Sequence, residues 1–280
     1  MKRPPPDESG LAIDPAATVE ILTRFIAAEV GRGGHRGVVL GLSGGLDSAV
    51  AAYLAARAVG PQATTCLLLP HGHLAPHALD DARRVVRRLG VEAETIDIAP
   101  LVRGFLEVSG EVDRLRLGNA MARCRMLLLY DRSAVRGSLV LGTSNKSELL
   151  LGYGTIHGDL AHALNPLGDL YKTQVRALAD YLRVPASIRR RAPSADLWPQ
   201  QTDERELGFR YADVDRLLEL LIDARASRRT AISAGFPREF VDRVLRRVVR
   251  TQFKRRPPLI AKISTRTIGW DFRYPRDWLS

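Results

Sequence analysis

A glycine-rich segment near the start of the chain carries side chains suited to phosphate binding. It consists of Gly41, Leu42, Ser43, Gly44, Gly45, Leu46, Asp47 and Ser48. It lies between an apolar stretch and an alanine-rich, helix-favouring one. Backbone N–H groups of such a turn can converge on an anion, and the following helix N-terminus favours negative charge. The segment therefore predicts a phosphate-binding loop, in which Ser43 and Ser48 donate hydroxyl hydrogen bonds.

Asp47 is the unusual residue of this loop, because a carboxylate beside a phosphate is repulsive. A bridging Mg²⁺ removes the repulsion, since hard cations bind carboxylate and phosphate oxygens together. The loop lacks both the G-x-x-x-x-G-K-[ST] pattern of P-loop NTPases and the G-x-G-x-x-G pattern of dinucleotide redox domains. A glycine-rich turn with Asp47 as a helix N-cap is the structural alternative.

Five motifs carry a resemblance to a known family. Ser-Gly-Gly-x-Asp-Ser at 43–48 resembles the pyrophosphate loop of ATP pyrophosphatases, which cleave ATP between its α and β phosphates and form an adenylated intermediate. Segments 118–126, 141–153, 165–175 and 193–203 resemble, in order and spacing, the further motifs of ammonia-dependent NAD synthetases. The resemblance extends from Leu40 to Arg256, and five motifs in register are far more specific than one.

The resemblance implies roles for residues around ATP. Thr143, Lys172 and Ser194 would contact ATP together with the loop 41–48, and Asp47 and Glu148 would bind Mg²⁺. Lys172 would also act catalytically, by neutralising charge on the departing pyrophosphate. As plain alternatives, Glu148 can be a surface charge and Lys172 a lysine in a first helical turn, although that position is unfavourable without a nearby anion.

The resemblance also implies residues for the second half of the reaction. Asp159 matches a catalytic carboxylate near the ammonia position, which would accept a proton as nitrogen attacks. Arg123 and Lys254 match residues that bind the dinucleotide substrate, although Arg123 can equally be an ordinary exposed arginine. Ser194 lies in the family's mobile loop, which would exclude water from the acyl-adenylate.

Three positions depart from the family pattern. Ile156 stands where the family usually has lysine, Ala163 where it has aspartate, and Phe253 where it has the histidine of a His-Lys pair. These are the residues that hold the nicotinate end of deamido-NAD, and losing such polar contacts costs about 1–3 kcal/mol each. Either His157, His162 or nearby arginines read the substrate instead, or the enzyme takes a different acid.

The elements that must position these residues follow from hydrophobic patterning. Apolar runs at 37–42, 64–69, 92–98 and 138–141 predict strands, and helical spacing at 16–30, 47–59, 80–89 and 113–136 predicts helices between them. Segments 171–182, 214–222 and 236–249 predict further helices, the last with an apolar stripe that is core or dimer surface. The fold class is thus α/β, an open parallel sheet with helices on both faces, of the adenine nucleotide alpha-hydrolase-like type, with a helical C-terminal part.

Composition limits the remaining function classes. No apolar run is long enough to span a bilayer, and only two cysteines, Cys66 and Cys124, are present, which suits reduced thiols in the cytoplasm. Residues 183–256 contain 18 basic and 10 acidic side chains, but no aromatic interleaving or RNA-binding motif accompanies them. We therefore expect a polyphosphate ligand and solvated arginines, and no nucleic-acid partner. His71, His73 and His77 do not form a convincing zinc pattern.

The predicted organisation is a disordered lead-in at 1–14, one ATP-pyrophosphatase domain at 15–256 and a tail at 257–280. The predicted enzyme is a homodimeric ligase that makes NAD from deamido-NAD, ATP and ammonia through an adenylated carboxylate, with Mg²⁺ as cofactor and the helix at 113–136 as the dimer contact. Free ammonia is expected because no glutaminase domain is present. The alternatives are an enzyme that amidates another carboxylate, a tRNA-modifying pyrophosphatase, and a non-catalytic nucleotide-binding protein.

Overall fold

A parallel β-sheet organises the chain, for which a computed structural model describes residues 10–72, 76–194, 197–198, 201–256 and 258–267. Within these residues the strands are β1 (Val38–Gly41), β2 (Thr64–Leu68), β3 (Glu92–Thr95) and β4 (Leu139–Val140). All pairings are parallel, and the order across the sheet is β3-β2-β1-β4. The chain order reverses between β1 and β4, and ligands of open α/β sheets bind at such a switch point, beyond the carboxyl ends of the strands.

Helices join and cover the strands. They are α1 (Pro15–Arg32), α2 (Leu46–Val59), α3 (Pro76–Leu89), α4 (Ala99–Ser109), α5 (Arg114–Arg136), α6 (Lys146–Leu151), α7 (Lys172–Tyr181), α8 (Ala186–Arg189), α9 (Asp203–Leu207), α10 (Tyr211–Leu218), α11 (Arg228–Ser233), α12 (Arg238–Arg250) and α13 (Gln252–Arg255). A 3-10 turn precedes β2 at Pro61–Ala63, and a π-helical turn follows α10 at Glu219–Asp223. None of the helices in the described ranges is long and apolar enough to cross a membrane.

Most predicted elements form close to their predicted bounds, but the short helices α6, α8, α9, α11 and α13 were not predicted, and the segment after β3 also differs. The strand predicted over 92–98 ends at Thr95, and α4 begins at Ala99 although no helix was predicted there. The side chain of Asp97 explains the change of structure. It accepts hydrogen bonds from the N–H groups of Ala99 (2.9 Å) and Gly72 (3.1 Å), which turns the chain away from the sheet. Asp97 thus satisfies a first-turn donor of α4.

Both faces of the sheet are buried, as expected for parallel strands. On one face, Leu40 and Cys66 pack in a core with Ala51, Leu54 and other residues of α1, α2 and α7. On the other face, Val39 and Leu67 pack against α4 and α5, where Met121 is 1% exposed. One face of α5 therefore belongs to the core. The predicted arrangement, with helices on both faces of a parallel sheet, is confirmed.

The C-terminal helices have a core of their own. Tyr211, Val214 and Leu217 of α10 pack with Val241 and Val244 of α12, and all are buried. The apolar stripe of α12 thus belongs to the core, while Val249 at its end is 69% exposed. This core holds α10 against α6 and α7, which carry Glu148 and Lys172. The predicted lead-in and tail lie mostly outside the described residues, as does His73.

Candidate active site

The glycine-rich loop connects β1 to α2 and is braced by its own hydroxyls. Ser48 Oγ accepts from the N–H of Ser43 (3.2 Å), and the Ser43 and Ser48 hydroxyls lie 3.0 Å apart. Ser43 Oγ also accepts from the N–H of Gly45 at 3.2 Å. Gly44 has φ +82°, and a Cβ there would lie 2.0 Å from the carbonyl oxygen of Ala78, so only glycine fits. The loop is therefore a compact turn at the N-terminus of α2.

Three charged side chains from distant parts of the sequence meet beside this loop. Lys172 Nζ, in the first turn of α7, donates to Asp47 Oδ2 at 2.5 Å and to Glu148 Oε1 at 3.1 Å. The exposed fractions are 4% for the lysine side chain, 15% for Asp47 and 14% for Glu148. We refer to Asp47, Glu148 and Lys172 as the charged cluster. The predicted metal ligands and the predicted phosphate lysine thus share one site.

Asn145 fixes the geometry of the cluster, and the sequence analysis did not single it out. Its Nδ2 donates to Asp47 Oδ1 at 3.0 Å, and its Oδ1 accepts from the N–H of Glu148 at 3.0 Å. Glu148 Oε2 accepts in return from the N–H of Asn145 at 3.2 Å, which completes a capping box. The spacing Asn-x-x-Glu before an apolar run is the sequence signal that could have identified this residue.

Burial and mutual charge control the protonation of the cluster. Burial raises the pKa of Glu148 to about 8, although Lys172 opposes the shift. Burial alone lowers the pKa of Lys172, but the carboxylates of Asp47 and Glu148 outweigh it and keep the pKa above its ordinary value. The lysine is therefore charged. Burial favours the protonated form of Glu148, and additional positive charge would favour its ionised form.

A second group of polar residues adjoins the cluster and was also missed. Asp203, which is 3% exposed, begins α9, and its carboxylate lies 3.0 Å from the hydroxyl of Tyr153. The same hydroxyl lies 3.0 Å from Glu206 Oε2. Burial raises the pKa of Asp203, with Lys172 acting against the shift. The N–H of Asp203 donates to the carbonyl of Pro193 at 2.9 Å, so it closes the base of the segment that contains Ser194.

One cleft of about 590 Å³ brings most predicted site residues together. Its lining includes Gly41, Leu42, Ser43, Gly45, Leu46, Asp47, Ser48, Thr143, Glu148, Asp159, Lys172, Ser194 and Lys254. Gly44 and Arg123 are not in this lining. Arg123 is exposed and donates to the carbonyl of Ile156 at 3.3–3.4 Å. Four arginines that were not predicted also line the cleft, at positions 125, 176, 191 and 247.

The Ser194 segment packs across this cleft through its described part. A Cβ at Gly118 of α5 would lie 3.1 Å from Leu197 Cδ1 and 3.3 Å from Trp198 Cζ3. The Arg114 guanidinium lies 4.6 Å from the Trp198 ring centroid. The absence of a side chain at Gly118 therefore lets the segment approach α5 closely.

Asp159 and Lys254 lie on the part of the cleft wall formed by residues 152–159. Asp159 Oδ1 accepts from the N–H of Thr155 at 2.7 Å. The side chain is open to the cleft but has protein on most sides, and this loss of bulk water raises the pKa of its carboxyl. Lys254 Nζ donates to the carbonyls of Gly152 (2.9 Å) and Gly154 (2.7 Å), and burial lowers its pKa.

The three departing positions have little contact with the cleft. Ile156, Ala163 and Phe253 are absent from its lining, and Phe253 is 57% exposed. His71 does line the cleft, and its pKa is lowered chiefly by burial. Within the described residues no group of three or more His, Cys, Asp and Glu side chains is arranged to hold a metal ion. The expectation that the histidines form no zinc site stays a prediction for His73.

The fold and site together define a class of protein: an α/β enzyme of the adenine nucleotide alpha-hydrolase type, with its loop at the switch point of the sheet. The NAD synthase family model matches residues 18–258. An NH(3)-dependent NAD(+) synthetase from Chlorobium phaeobacteroides is 50% identical over 268 residues, which cover 96% of this chain and 97% of the relative. The chain belongs to the NAD synthase family, as its motifs predicted.

Two solved structures agree with this assignment. An NH3-dependent NAD synthetase from Campylobacter jejuni, in complex with the nitrate ion, is 37% identical with a TM-score of 0.78 and covers 90% of this chain and 100% of its own. An NMN synthetase from Francisella tularensis is 34% identical with a TM-score of 0.80 and covers 89% of this chain and 99% of its own. The predicted family and the predicted class of enzyme, an ATP-dependent ligase, are confirmed.

Proposed function

We propose that this protein makes NAD from deamido-NAD, ATP and ammonia, and releases AMP and pyrophosphate. The observation that carries the proposal is the charged cluster, in which Lys172 lies within 3.1 Å of both Asp47 and Glu148 beside the glycine-rich loop. Membership of the NAD synthase family supports the same reaction.

In the first step, the carboxylate of the acid attacks the α-phosphorus of ATP, and the bond to the bridging oxygen of pyrophosphate breaks. The N–H groups at the start of α2 and the Ser43 and Ser48 hydroxyls would bind the phosphates. Lys172 would stabilise the negative charge that gathers on the leaving pyrophosphate. The lysine is held in place by Asp47 and Glu148, so little reorganisation is needed when the charge develops.

Asp47 and Glu148 fit Mg²⁺, because this ion is usually bound by one or two carboxylates together with phosphates and water. Both are hard oxygen donors at the same lysine nitrogen. When bound, the ion would supply positive charge to the phosphate oxygens. The raised pKa of Glu148 agrees with this assignment. Burial disfavours the ionised carboxylate, and a bound cation would stabilise it.

In the second step, ammonia attacks the carbonyl carbon of the acyl-adenylate and AMP departs. The new amide nitrogen must lose a proton, and Asp159 is the proposed acceptor. Its Oδ1 is fixed by the N–H of Thr155 at 2.7 Å, and its raised pKa brings it closer to the range useful for a base. The Ser194 segment would shield the adenylate from hydrolysis.

A second candidate acid follows from the likeness to an NMN synthetase. Formation of that amide by the same chemistry would start from nicotinate mononucleotide, which lacks the adenylate half of deamido-NAD. The departures at Ile156, Ala163 and Phe253 do not discriminate between the two acids, because both acids carry the nicotinate end to which those positions are assigned. Lys254 is retained and lines the cleft, whereas Arg123 does not.

Homodimer formation and a cytoplasmic location are further parts of the proposal. The helix α5 exposes Leu115 (68%), Leu127 (56%) and Val135 (74%), which supports it as the dimer contact. Cys66 and Cys124 are both free thiols, which suits a reducing compartment.

The decisive experiment measures AMP release by the purified protein with ATP, Mg²⁺ and ammonium, and with deamido-NAD or nicotinate mononucleotide as the acid. We expect turnover with deamido-NAD that depends on all components. Turnover with the mononucleotide alone would select the second candidate. Absence of AMP release with both acids at saturating concentrations would contradict the proposed reaction.

A further inference from the structure

A fully buried carboxylate lies behind the charged cluster and contacts none of the expected ligands. Asp215 on α10 is 0% exposed. Its Oδ1 accepts from Ser147 Oγ at 2.6 Å, and its Oδ2 accepts from the N–H of Thr173 at 2.9 Å. Ser147 Oγ in turn accepts from the N–H of Lys172 at 2.9 Å. A buried charge is costly, so this one must be compensated by its donors.

We infer that Asp215 is a positioning residue, which locks the first turns of α6 and α7 together so that Glu148 and Lys172 meet at Asp47. This inference rests on the proposed function. Each partner of Asp215 is adjacent in sequence to a cluster residue: Ser147 precedes Glu148, and Thr173 follows Lys172. One carboxylate therefore sets the relative position of two helix starts whose side chains must bind the same triphosphate.

The backbone geometry explains why a carboxylate occupies this position. The first N–H groups of a helix have no partner within the helix, and Asp215 and Ser147 supply acceptors for two of them in α7. A neutral amide could accept from Ser147, but its NH₂ group would face the N–H of Thr173 as donor against donor. The charge also favours the helix N-terminus electrostatically. Small displacements of catalytic groups are expensive, since a misplacement of about 1 Å can cost about 100-fold in rate.

The test compares Asp215→Asn with Asp213→Asn on the same helix, where Asp213 pairs with exposed Arg210. We expect Asp215→Asn to lower kcat/KM for ATP by about 10- to 100-fold, to weaken binding of a non-hydrolysable Mg²⁺–ATP analogue, and to leave the KM for the acid unchanged. Asp213→Asn should match the wild type. The split between the two KM values separates positioning from a general loss of structure.

Ser147→Ala provides a second route if Asp215→Asn does not fold. It removes one acceptor of the Lys172 N–H and one donor to Asp215, so it should show the same split with a smaller loss. The double variant should lose less than the product of the two single losses, because Ser147 and Asp215 share one hydrogen bond. Unchanged ATP kinetics and analogue binding in the folded variants, or equal rises in both KM values, would overturn the inference. A wild-type protein inactive with every acid would defeat the proposed function, while the analogue titration would still test Asp215.

Discussion

The side of the cleft proposed for the triphosphate and the side proposed for the acid differ in how their side chains are buried and paired. On the triphosphate side, Lys172, Asp47 and Glu148 are mostly buried and every charge has partners within 3.1 Å. On the acid side, Asp159 is open to the cleft, and Ile156, Ala163 and Phe253 do not line it. The first region has the density of contacts that fixed geometry requires, whereas the second leaves room for variation in the acid.

This contrast indicates that different residues determine the adenylation chemistry and the choice of acid. Phosphate binding depends on backbone amides, two hydroxyls and a charged cluster, all of which are retained. In the proposed function, recognition of the acid depends on individual side chains, and three positions that the resemblance assigns to it differ from the family pattern. Substitutions can therefore affect one region without the other.

The largest effect is expected on the triphosphate side. Asp47→Asn keeps the shape but removes one charge next to Lys172, and it should lower kcat by about 10²- to 10³-fold with either acid. The measurement is AMP release at saturating Mg²⁺, with the folded state checked by circular dichroism. Asp80→Asn on α3 is the matched control, because that side chain is 68% exposed and pairs only with Arg83. Wild-type turnover in Asp47→Asn would remove this residue from the metal and phosphate site.

The next effect separates the two chemical steps. Asp159→Asn can still accept from the N–H of Thr155 but cannot take up a proton, so amide formation should slow by about 10²-fold. Pyrophosphate release in a single turnover should remain fast, because that step uses the other region. Rapid-quench measurement of both products tests this, with Asp131→Asn as the exposed control. Equal slowing of both steps would contradict the assignment of Asp159 to the ammonia step.

A smaller effect is expected from restoring the family residue at 156. Ile156→Lys should lower the KM for deamido-NAD about 5- to 10-fold, the size expected for one polar contact of about 1 kcal/mol, and should leave the KM for ATP unchanged. Ile156→Met is the neutral control of similar size. An unchanged KM for deamido-NAD, together with preference for the mononucleotide, would favour the second candidate acid.

The sequence predicted the regions unequally, for physical reasons. The loop and the helix bounds follow from local patterns, and the resemblance brought Asp47, Glu148 and Lys172 together across more than 120 residues. The start of α4 could not be predicted from hydrophobic periodicity, because it depends on a hydrogen bond to the Asp97 side chain. The role of Arg123 in substrate binding stays a prediction; its guanidinium donates to the carbonyl of Ile156.

The two residues that position the charged cluster, Asn145 and Asp215, could not be predicted for a different reason. Asn145 carried a recognisable capping-box spacing, but its bond to Asp47 joins residues 98 apart. Asp215 lies one turn from both Tyr211 and Leu218 on the apolar face of α10, so its burial was foreseeable. The hydrogen-bond partners of Asp215 were not foreseeable, because Ser147 lies 68 residues away on another helix.

The last expected effect concerns stability and not turnover, and it uses the pKa of Glu148. Burial raises this pKa to about 8, against about 4.3 in an unfolded chain. Between these values the folded protein retains a proton that the unfolded chain has released. Stability should therefore fall as pH rises from 5 to 8, by up to about 1.4 kcal/mol per pH unit. Lys172 adds no slope here, because its pKa is raised above its ordinary value.

Urea denaturation of the metal-free protein at several pH values measures this slope. Asp159, Asp203 and Asp215 also have raised pKa values and act in the same direction, so the informative quantity is the difference between the wild type and Glu148→Gln. That variant should lose part of the slope, whereas the exposed control Glu107→Gln on α4 should keep it. Mg²⁺ with an ATP analogue should flatten the wild-type curve, because added positive charge favours the ionised carboxylate. Parallel curves for the wild type and Glu148→Gln would show that Glu148 is ionised throughout and that the cluster is already balanced without the metal.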